Sequence, residues 1–76
     1  MITVKLYGLL RLDSGIKELQ IEANSVSTLL HRLEEHGLKK SDLSGANILV
    51  NGQFSNKRTS LKNGDIVQLF PPVAGG

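Results

Sequence analysis

The chain has 76 residues, a mass of 8.2 kDa and a net charge of +2 at pH 7, so it can form one small domain with little material for an enclosed active site. Its basic residues occur singly or in pairs, and it contains one tyrosine, two phenylalanines and no tryptophan. It therefore lacks the basic patch and the aromatic platform of nucleic-acid-binding proteins. Because cysteine is absent, disulfides, thiolate metal sites and cysteine nucleophiles are excluded.

The sequence shows no sign of a membrane segment or a secretion signal. No stretch approaches the roughly 20 apolar residues of a membrane span, and the first residues lack the basic-then-apolar order of a signal peptide. We therefore expect a cytoplasmic protein that does not bind membranes.

Two short strands are predicted at the beginning of the chain. Apolar and polar residues alternate over residues 2–7 and again over residues 17–22, which is typical of half-buried strands. Gly8 ends the first strand and Gly15 offers a turn, so we expect a hairpin whose connection is irregular.

An amphipathic helix is predicted over residues 26–36. Its apolar residues follow the i, i+3, i+4, i+7 spacing of one helix face, at Val26, Leu29, Leu30 and Leu33. Ser25 is suited to accept a backbone hydrogen bond as the N-cap, and Gly37 is suited to the left-handed conformation that ends many helices.

The second half of the chain has the pattern of three strands. A polar connector at residues 39–45 leaves room for one turn of helix, and residues 48–50 form a strand that leads into the hairpin turn Asn51-Gly52. A short return strand begins at Gln53, and residues 66–70 form the last strand.

This order of elements predicts an α+β fold in which one main helix packs on a mixed sheet. It matches the β-grasp (ubiquitin-like) arrangement, in which the first and last strands pair in parallel at the centre of the sheet. We expect a β-grasp domain at residues 1–70, followed by a flexible C-terminal arm at residues 71–76.

The alternation also predicts which side chains lie on the sheet face opposite the helix. If the helix covers Val4 and Val67, then Tyr7, Leu49 and Phe70 lie on the other face. An exposed apolar cluster of this kind often marks the docking site of a partner protein. The alternative is that these side chains only complete a small sheet.

The sequence lacks the residue patterns of an independent catalyst. His31 and His36 are five residues apart, which does not place two metal ligands on one helix face. No serine–histidine–aspartate set and no glycine-rich phosphate loop can be assembled. We expect no metal, no bound cofactor and no catalysis by the chain alone.

The C-terminal arm is the most distinctive segment of the sequence. Pro71 and Pro72 cannot donate to a sheet ladder, so they direct the chain away from the last strand. The rest of the arm is uncharged apart from the terminal carboxylate and consists of Val73, Ala74, Gly75 and Gly76. Two residues without Cβ can enter a channel too narrow for other side chains. A frayed terminus is the alternative, but it does not explain the two prolines and the uncharged run.

We interpret the carboxylate of Gly76 as the working group of the arm. A carboxylate becomes reactive when it is adenylated, and a sulfur or amine nucleophile can then displace AMP. Because the chain has no thiol, it cannot capture its own activated carboxylate as a thioester.

These features resemble the MoaD/ThiS family of ubiquitin-like sulfur carriers, and within it the small subunit of molybdopterin synthase. The matching segments span nearly the whole chain, at residues 7–11, 25–30, 50–52, 61–67 and 70–76. The arm is the most specific of them. Two departures are the connector at residues 41–45, which carries no family signature, and Thr28, where a glutamate would complete a capping box.

The resemblance implies a cycle of activation and sulfur transfer. An adenylating enzyme of the ubiquitin-activating type would use ATP to convert the Gly76 carboxylate to an acyl-adenylate, and a sulfur donor would leave a thiocarboxylate. The arm would then enter the large catalytic subunit of molybdopterin synthase and give its sulfur to the pterin precursor of the molybdenum cofactor.

Three alternatives remain open. The carrier could supply sulfur for thiamine thiazole synthesis, although the Pro71-Pro72 pair argues against this pathway. It could be a protein modifier conjugated to lysines through Gly76. It could also be a ubiquitin-fold binding module whose terminal glycines have no function.

Overall fold

Within residues 1–72, which the computed structural model describes, five strands form one mixed sheet with three helices beside it. The elements in chain order are β1 (Ile2–Leu6), α1 (Gly8–Ser14), β2 (Glu18–Ile21), α2 (Val26–Glu35), α3 (Lys40–Ser44), β3 (Asn47–Val50), β4 (Gln53–Ser55) and β5 (Ile66–Phe70). None of the helices in this part of the chain is long and apolar enough to cross a bilayer.

The strands follow the order β2-β1-β5-β3-β4 across the sheet. β1 and β5 pair in parallel, with Val4 opposite Val67 and Leu6 opposite Leu69, and the other three pairings are antiparallel. The predicted α+β class, the β-grasp arrangement and the parallel pairing of the first and last strands are thus confirmed.

The hydrophobic core lies between one face of the sheet and α2. Alternate residues of β1 and β5 point into it, and α2 contributes the stripe predicted from its periodicity. The side chains that are essentially fully buried are Ile2, Val4, Leu6, Val26, Leu29, Leu33, Val67 and Leu69. Because full burial of such a side chain stabilises a fold by about 1.5–3 kcal/mol, this interface is the main source of stability.

Both predicted signals at the ends of α2 are present. The Ser25 hydroxyl oxygen accepts a hydrogen bond from the Thr28 backbone N–H at 3.2 Å, so one orphan donor of the first turn is satisfied. The helix ends at Glu35, and Gly37 adopts a φ of 101°. The predicted helix at residues 26–36 is therefore correct to within one residue.

The prediction of an irregular connection between β1 and β2 is wrong, because residues 8–14 form the helix α1. Leu10 is the only buried residue of α1, so the segment lacks the repeated apolar spacing by which a helix is recognised in sequence. The Ser14 hydroxyl donates to the Leu10 carbonyl at 2.6 Å. The helix ends at Gly15, whose φ is 73°.

The hairpin between β3 and β4 is tied to the start of β5 by Asn51. Asn51 and Gly52 have φ values of 51° and 83°, as the predicted two-residue turn requires. The Asn51 side-chain amide donates to Asp65 Oδ1 at 3.0 Å, and its Oδ1 accepts from the Ile66 backbone N–H at 3.0 Å. A turn residue thereby also fixes the entry of the central strand.

We predict that Asp65 makes the stability of the fold decrease as the pH falls. The Lys62 backbone N–H donates to its carboxylate at 2.8 Å, and this bond, followed by the one from Asn51, lowers the pKa of Asp65. Because the charged form is favoured in the fold, its contribution is present above the unfolded pKa and is lost as pH falls through the lower folded pKa. Asp65→Asn should therefore unfold at a lower temperature than wild type at pH 6, and this difference in unfolding temperature should narrow as the pH falls below about 3.9, the ordinary pKa of aspartate.

The control is Asp13→Asn, which removes a carboxylate from α1 and leaves both hydrogen bonds of Asp65 intact, so it reports the effect of losing one negative charge alone. Thermal unfolding followed by circular dichroism between pH 2 and pH 6 checks the expectation. A difference for Asp65→Asn that is constant across this range would contradict it.

Candidate functional site

The sheet face opposite α2 carries the residues predicted for partner docking. We call it the open face and define it by Tyr7, Leu49, Phe54, Gln68 and Phe70. Tyr7, Leu49 and Phe70 are half-buried and line one shallow concavity of about 760 Å³. Its complete lining is Tyr7, Gly8, Asn47, Leu49, Phe54, Phe70, Pro71 and Pro72. The three residues singled out from the sequence thus lie together beside the start of the arm.

Tyr7 and Phe70 form a stacked aromatic pair at one end of this face. Their ring centroids are 4.4 Å apart and the ring planes differ by 8°. The Gln68 side-chain amide donates to the Tyr7 hydroxyl at 2.9 Å, and the Tyr7 backbone N–H donates to the Leu69 carbonyl at 3.1 Å. Such a pair adds about 0.5–1.5 kcal/mol beyond its buried area, so the point where the arm leaves the sheet is held firmly.

Phe54 was not among the predicted docking residues. It lies in the edge strand β4 opposite Leu49, and 80% of its surface is exposed. Its position on the open face could have been predicted from the turn in the sequence. A two-residue turn at Asn51-Gly52 pairs the residues on either side of it, and one step further along the hairpin brings Phe54 opposite Leu49. An exposed phenylalanine beside other apolar side chains is typical of a protein-binding surface.

The two prolines at the start of the arm lie against two glycines. A Cβ placed on Gly8 would lie 2.8 Å from Pro71 Cγ and 3.1 Å from Pro71 Cδ. A Cβ on Gly45 would lie 3.5 Å from Pro72 Cγ, an ordinary contact distance. Gly8 is the first residue of α1, and Gly45 follows the last residue of α3. We call these four residues the proline seat. No pattern in the sequence connects the two glycines with the two prolines.

The rest of the predicted arm, Val73, Ala74, Gly75 and the reactive Gly76, lies outside the described residues. Those predictions are carried forward as part of the proposed function.

The two histidines lie on α2 and at its C-terminal end. His31 Nδ1 lies 3.7 Å from Glu34 Oε2 on the outer side of α2, and His36 caps the end of that helix. Among residues 1–72, no three histidine, aspartate or glutamate side chains lie close enough together to hold a metal ion. The described part of the chain therefore presents an apolar concavity beside the start of the arm.

Three comparisons with known proteins extend this picture. The model of the ThiS family matches residues 4–76, nearly the whole chain. No curated protein sequence matches the chain significantly. Among solved structures, the chain is similar to a chain in the protein–protein complex of subunits 1 and 2 of the Helicobacter pylori molybdopterin-converting factor, with 32% identity over 99% of this chain and 97% of that chain and a TM-score of 0.75.

Two further structures are related to a similar degree. One is a chain in the BexX/CysO complex of Amycolatopsis orientalis, with 25% identity over 100% of both chains and a TM-score of 0.76. The other is small archaeal modifier protein 1 of Methanosarcina acetivorans, with 29% identity over 99% of this chain and 95% of that chain and a TM-score of 0.76. The protein belongs to the ThiS family and is a ubiquitin-like sulfur carrier of the MoaD/ThiS type.

Proposed function

We propose that this protein is the sulfur-donating subunit of a molybdopterin synthase, with the sulfur carried as a thiocarboxylate on Gly76. The observation that carries the proposal is the 32% identity, over 99% of the chain, to a chain in the two-subunit Helicobacter pylori complex. The arm supports it, because two prolines lead from the last strand to two glycines.

In the proposed cycle, the Gly76 carboxylate is the only group of this chain that reacts. One of its oxygens attacks the α-phosphorus of ATP in an adenylating enzyme of the ubiquitin-activating type and displaces pyrophosphate. A sulfur nucleophile then displaces AMP from the acyl carbon, and the terminus becomes a thiocarboxylate. ATP is used by that enzyme, so the carrier itself needs no bound cofactor. The large catalytic subunit supplies the groups that move protons during transfer to the pterin precursor.

The length of the arm fits delivery into a partner. Six residues follow Phe70, and at about 3.3 Å per extended residue they reach roughly 20 Å. A carboxylate at that distance from the sheet can enter a pocket inside a partner while the folded domain stays outside. Val73, Ala74 and Gly75 are small and uncharged, so they can pass through a narrow channel of the partner without burying a charge.

The open face is the surface on which we propose that this partner docks. Its aromatic and aliphatic side chains adjoin the arm exit, so a protein docked there would receive the arm directly. Two of the similar structures were solved as complexes with a second protein, which supports a partner for this chain. Aromatic side chains dominate the energetics of many protein interfaces, and the open face carries three of them, Tyr7, Phe54 and Phe70.

A protein modifier is the second candidate, since the chain is 29% identical to small archaeal modifier protein 1 of Methanosarcina acetivorans. A lysine amine would then displace AMP from the activated terminus in place of sulfur. Thiamine thiazole synthesis would use the same thiocarboxylate with a different acceptor.

Reconstitution with the large subunit distinguishes these pathways. We expect thiocarboxylated carrier, mixed with the large subunit from the same genome and the pterin precursor, to yield the dithiolene product in proportion to carrier added. Carrier with an ordinary carboxylate is the control and should yield none. Lysine conjugates on a denaturing gel, or sulfur transfer to a thiazole precursor without dithiolene formation, would contradict the proposal.

Gly76→Ala should abolish sulfur delivery without affecting folding. The added methyl group must enter a channel shaped for glycine, and misplacing a reacting group by about 1 Å can cost about 100-fold in rate. Because position 76 follows the last strand, the urea midpoint of unfolding should equal that of wild type. Wild-type activity of this variant in the reconstituted synthase would refute the channel argument.

Phe54→Thr should weaken binding to the large subunit at least tenfold, and Thr retains the strand propensity of the position. Since Phe54 is 80% exposed, the free energy of unfolding should change little. Leu12→Gln is the matched control, because Leu12 is 75% exposed on α1 and does not line the concavity. Isothermal titration calorimetry measures both affinities, and equal affinities would exclude the open face as the docking surface.

A further inference from the structure

We propose that Gly8 is a positioning residue for the C-terminal arm. The proline seat, formed by Gly8 and Gly45 against Pro71 and Pro72, sets the direction in which the arm leaves the sheet. It thereby presents Gly76 to the adenylating enzyme. This inference rests on the proposed function and adds to it a residue that never contacts the reacting group.

The first support is the close approach of Gly8 to Pro71. Gly8 has a φ of +58°, and a Cβ built there would lie 2.8 Å from Pro71 Cγ, closer than real Cβ contacts allow. The obstructing atom belongs to a ring that is closed onto the backbone nitrogen. Pro71 therefore cannot yield by rotating a side chain, and a change of ring pucker leaves Cδ close to the added Cβ at 3.1 Å. The backbones of Gly8 and Pro71 must separate, which changes the direction in which the arm begins.

The second support is the register of the sheet. Leu6 pairs with Leu69 in the parallel ladder, Tyr7 stacks on Phe70, and Gly8 meets Pro71 next. The three contacts follow one another along residues 6–8 on one segment and residues 69–71 on the other. Pro71 has no N–H for a further ladder bond, so close packing against glycine replaces hydrogen bonding at this step.

The third support is the second glycine contact. A Cβ on Gly45 would lie 3.5 Å from Pro72 Cγ and 3.8 Å from Pro72 Cβ, so the backbone after α3 flanks Pro72. When a free backbone residue must become ordered in an active site, the lost conformational entropy lowers the reaction rate by about tenfold. Residues already seated in the free protein avoid this loss when the arm enters an active site.

Gly8→Ala, compared with Gly15→Ala, separates positioning from folding. Gly15 lies at the other end of α1 with a φ of +73°, and no atom lies within 4 Å of a Cβ built there. Both variants carry the strain of a left-handed alanine, but only Gly8→Ala displaces the arm. We would measure ATP–pyrophosphate exchange by the adenylating enzyme from the same genome, as a function of carrier concentration.

We expect kcat for Gly8→Ala to be at least tenfold below that for Gly15→Ala, with a similar KM. A misdirected arm lowers the fraction of bound carrier that can react, which lowers kcat. Partial unfolding would only reduce the concentration of competent carrier, which raises the apparent KM and leaves kcat unchanged. Equal kcat values for the two variants would overturn the inference.

Pro71→Ala provides the complementary test. It removes Cγ and Cδ, the two atoms that a Cβ on Gly8 would meet. In a Pro71→Ala background, Gly8→Ala should therefore lower kcat no more than Gly15→Ala does. If Gly8→Ala lowers kcat equally in both backgrounds, the contact with Pro71 is not the cause and the inference fails.

Nuclear Overhauser contacts test the seat without any enzyme. Wild type should show contacts from the Gly8 Hα protons to the Hγ and Hδ protons of Pro71, and their absence would overturn the inference. The outcomes also separate the two proposals. Absence of exchange with wild-type carrier would refute the proposed activation of Gly76 and the seat's role in it, whereas wild-type exchange with equal variants would refute the seat alone.

Discussion

The parallel pairing of β1 with β5 is the constraint on which the rest of the molecule depends. It joins the beginning of the chain to its end and places Val4 against Val67 and Leu6 against Leu69 at the centre of the core. The same register, continued by one residue, stacks Tyr7 on Phe70. A slip of one residue would turn every core side chain of β5 to the opposite face, so the register also fixes where the arm begins.

The two faces of the sheet differ in burial because of this pairing. The face under α2 supplies stability through fully buried aliphatic side chains. The open face keeps aromatic and aliphatic groups half-buried or exposed, with Phe54 the most exposed of them. A domain of this size leaves little material for an enclosed active site. In the proposed function the reactive group is therefore at the end of an arm, and the partner supplies the pocket.

Local sequence signals predicted most of the fold, whereas helix α1 and the proline seat lack such a signal. The alternation in β1, the stripe of α2 and the turn at Asn51-Gly52 are each encoded within a few residues, and alternation also placed Tyr7, Leu49 and Phe70 on one face. Helix α1 was missed because it buries only Leu10. The contact of Gly8 with Pro71 depends on the register of a parallel ladder between the two ends of the chain, which no local pattern specifies.

The most direct test of the account is the intact mass of the carrier after incubation with an active adenylating enzyme, ATP and a sulfide source. The account predicts a mass gain equal to the replacement of one oxygen by sulfur, located at Gly76 by fragmentation. No gain, with the enzyme shown to be active on its own carrier, would contradict the central claim that Gly76 is the sulfur-carrying group.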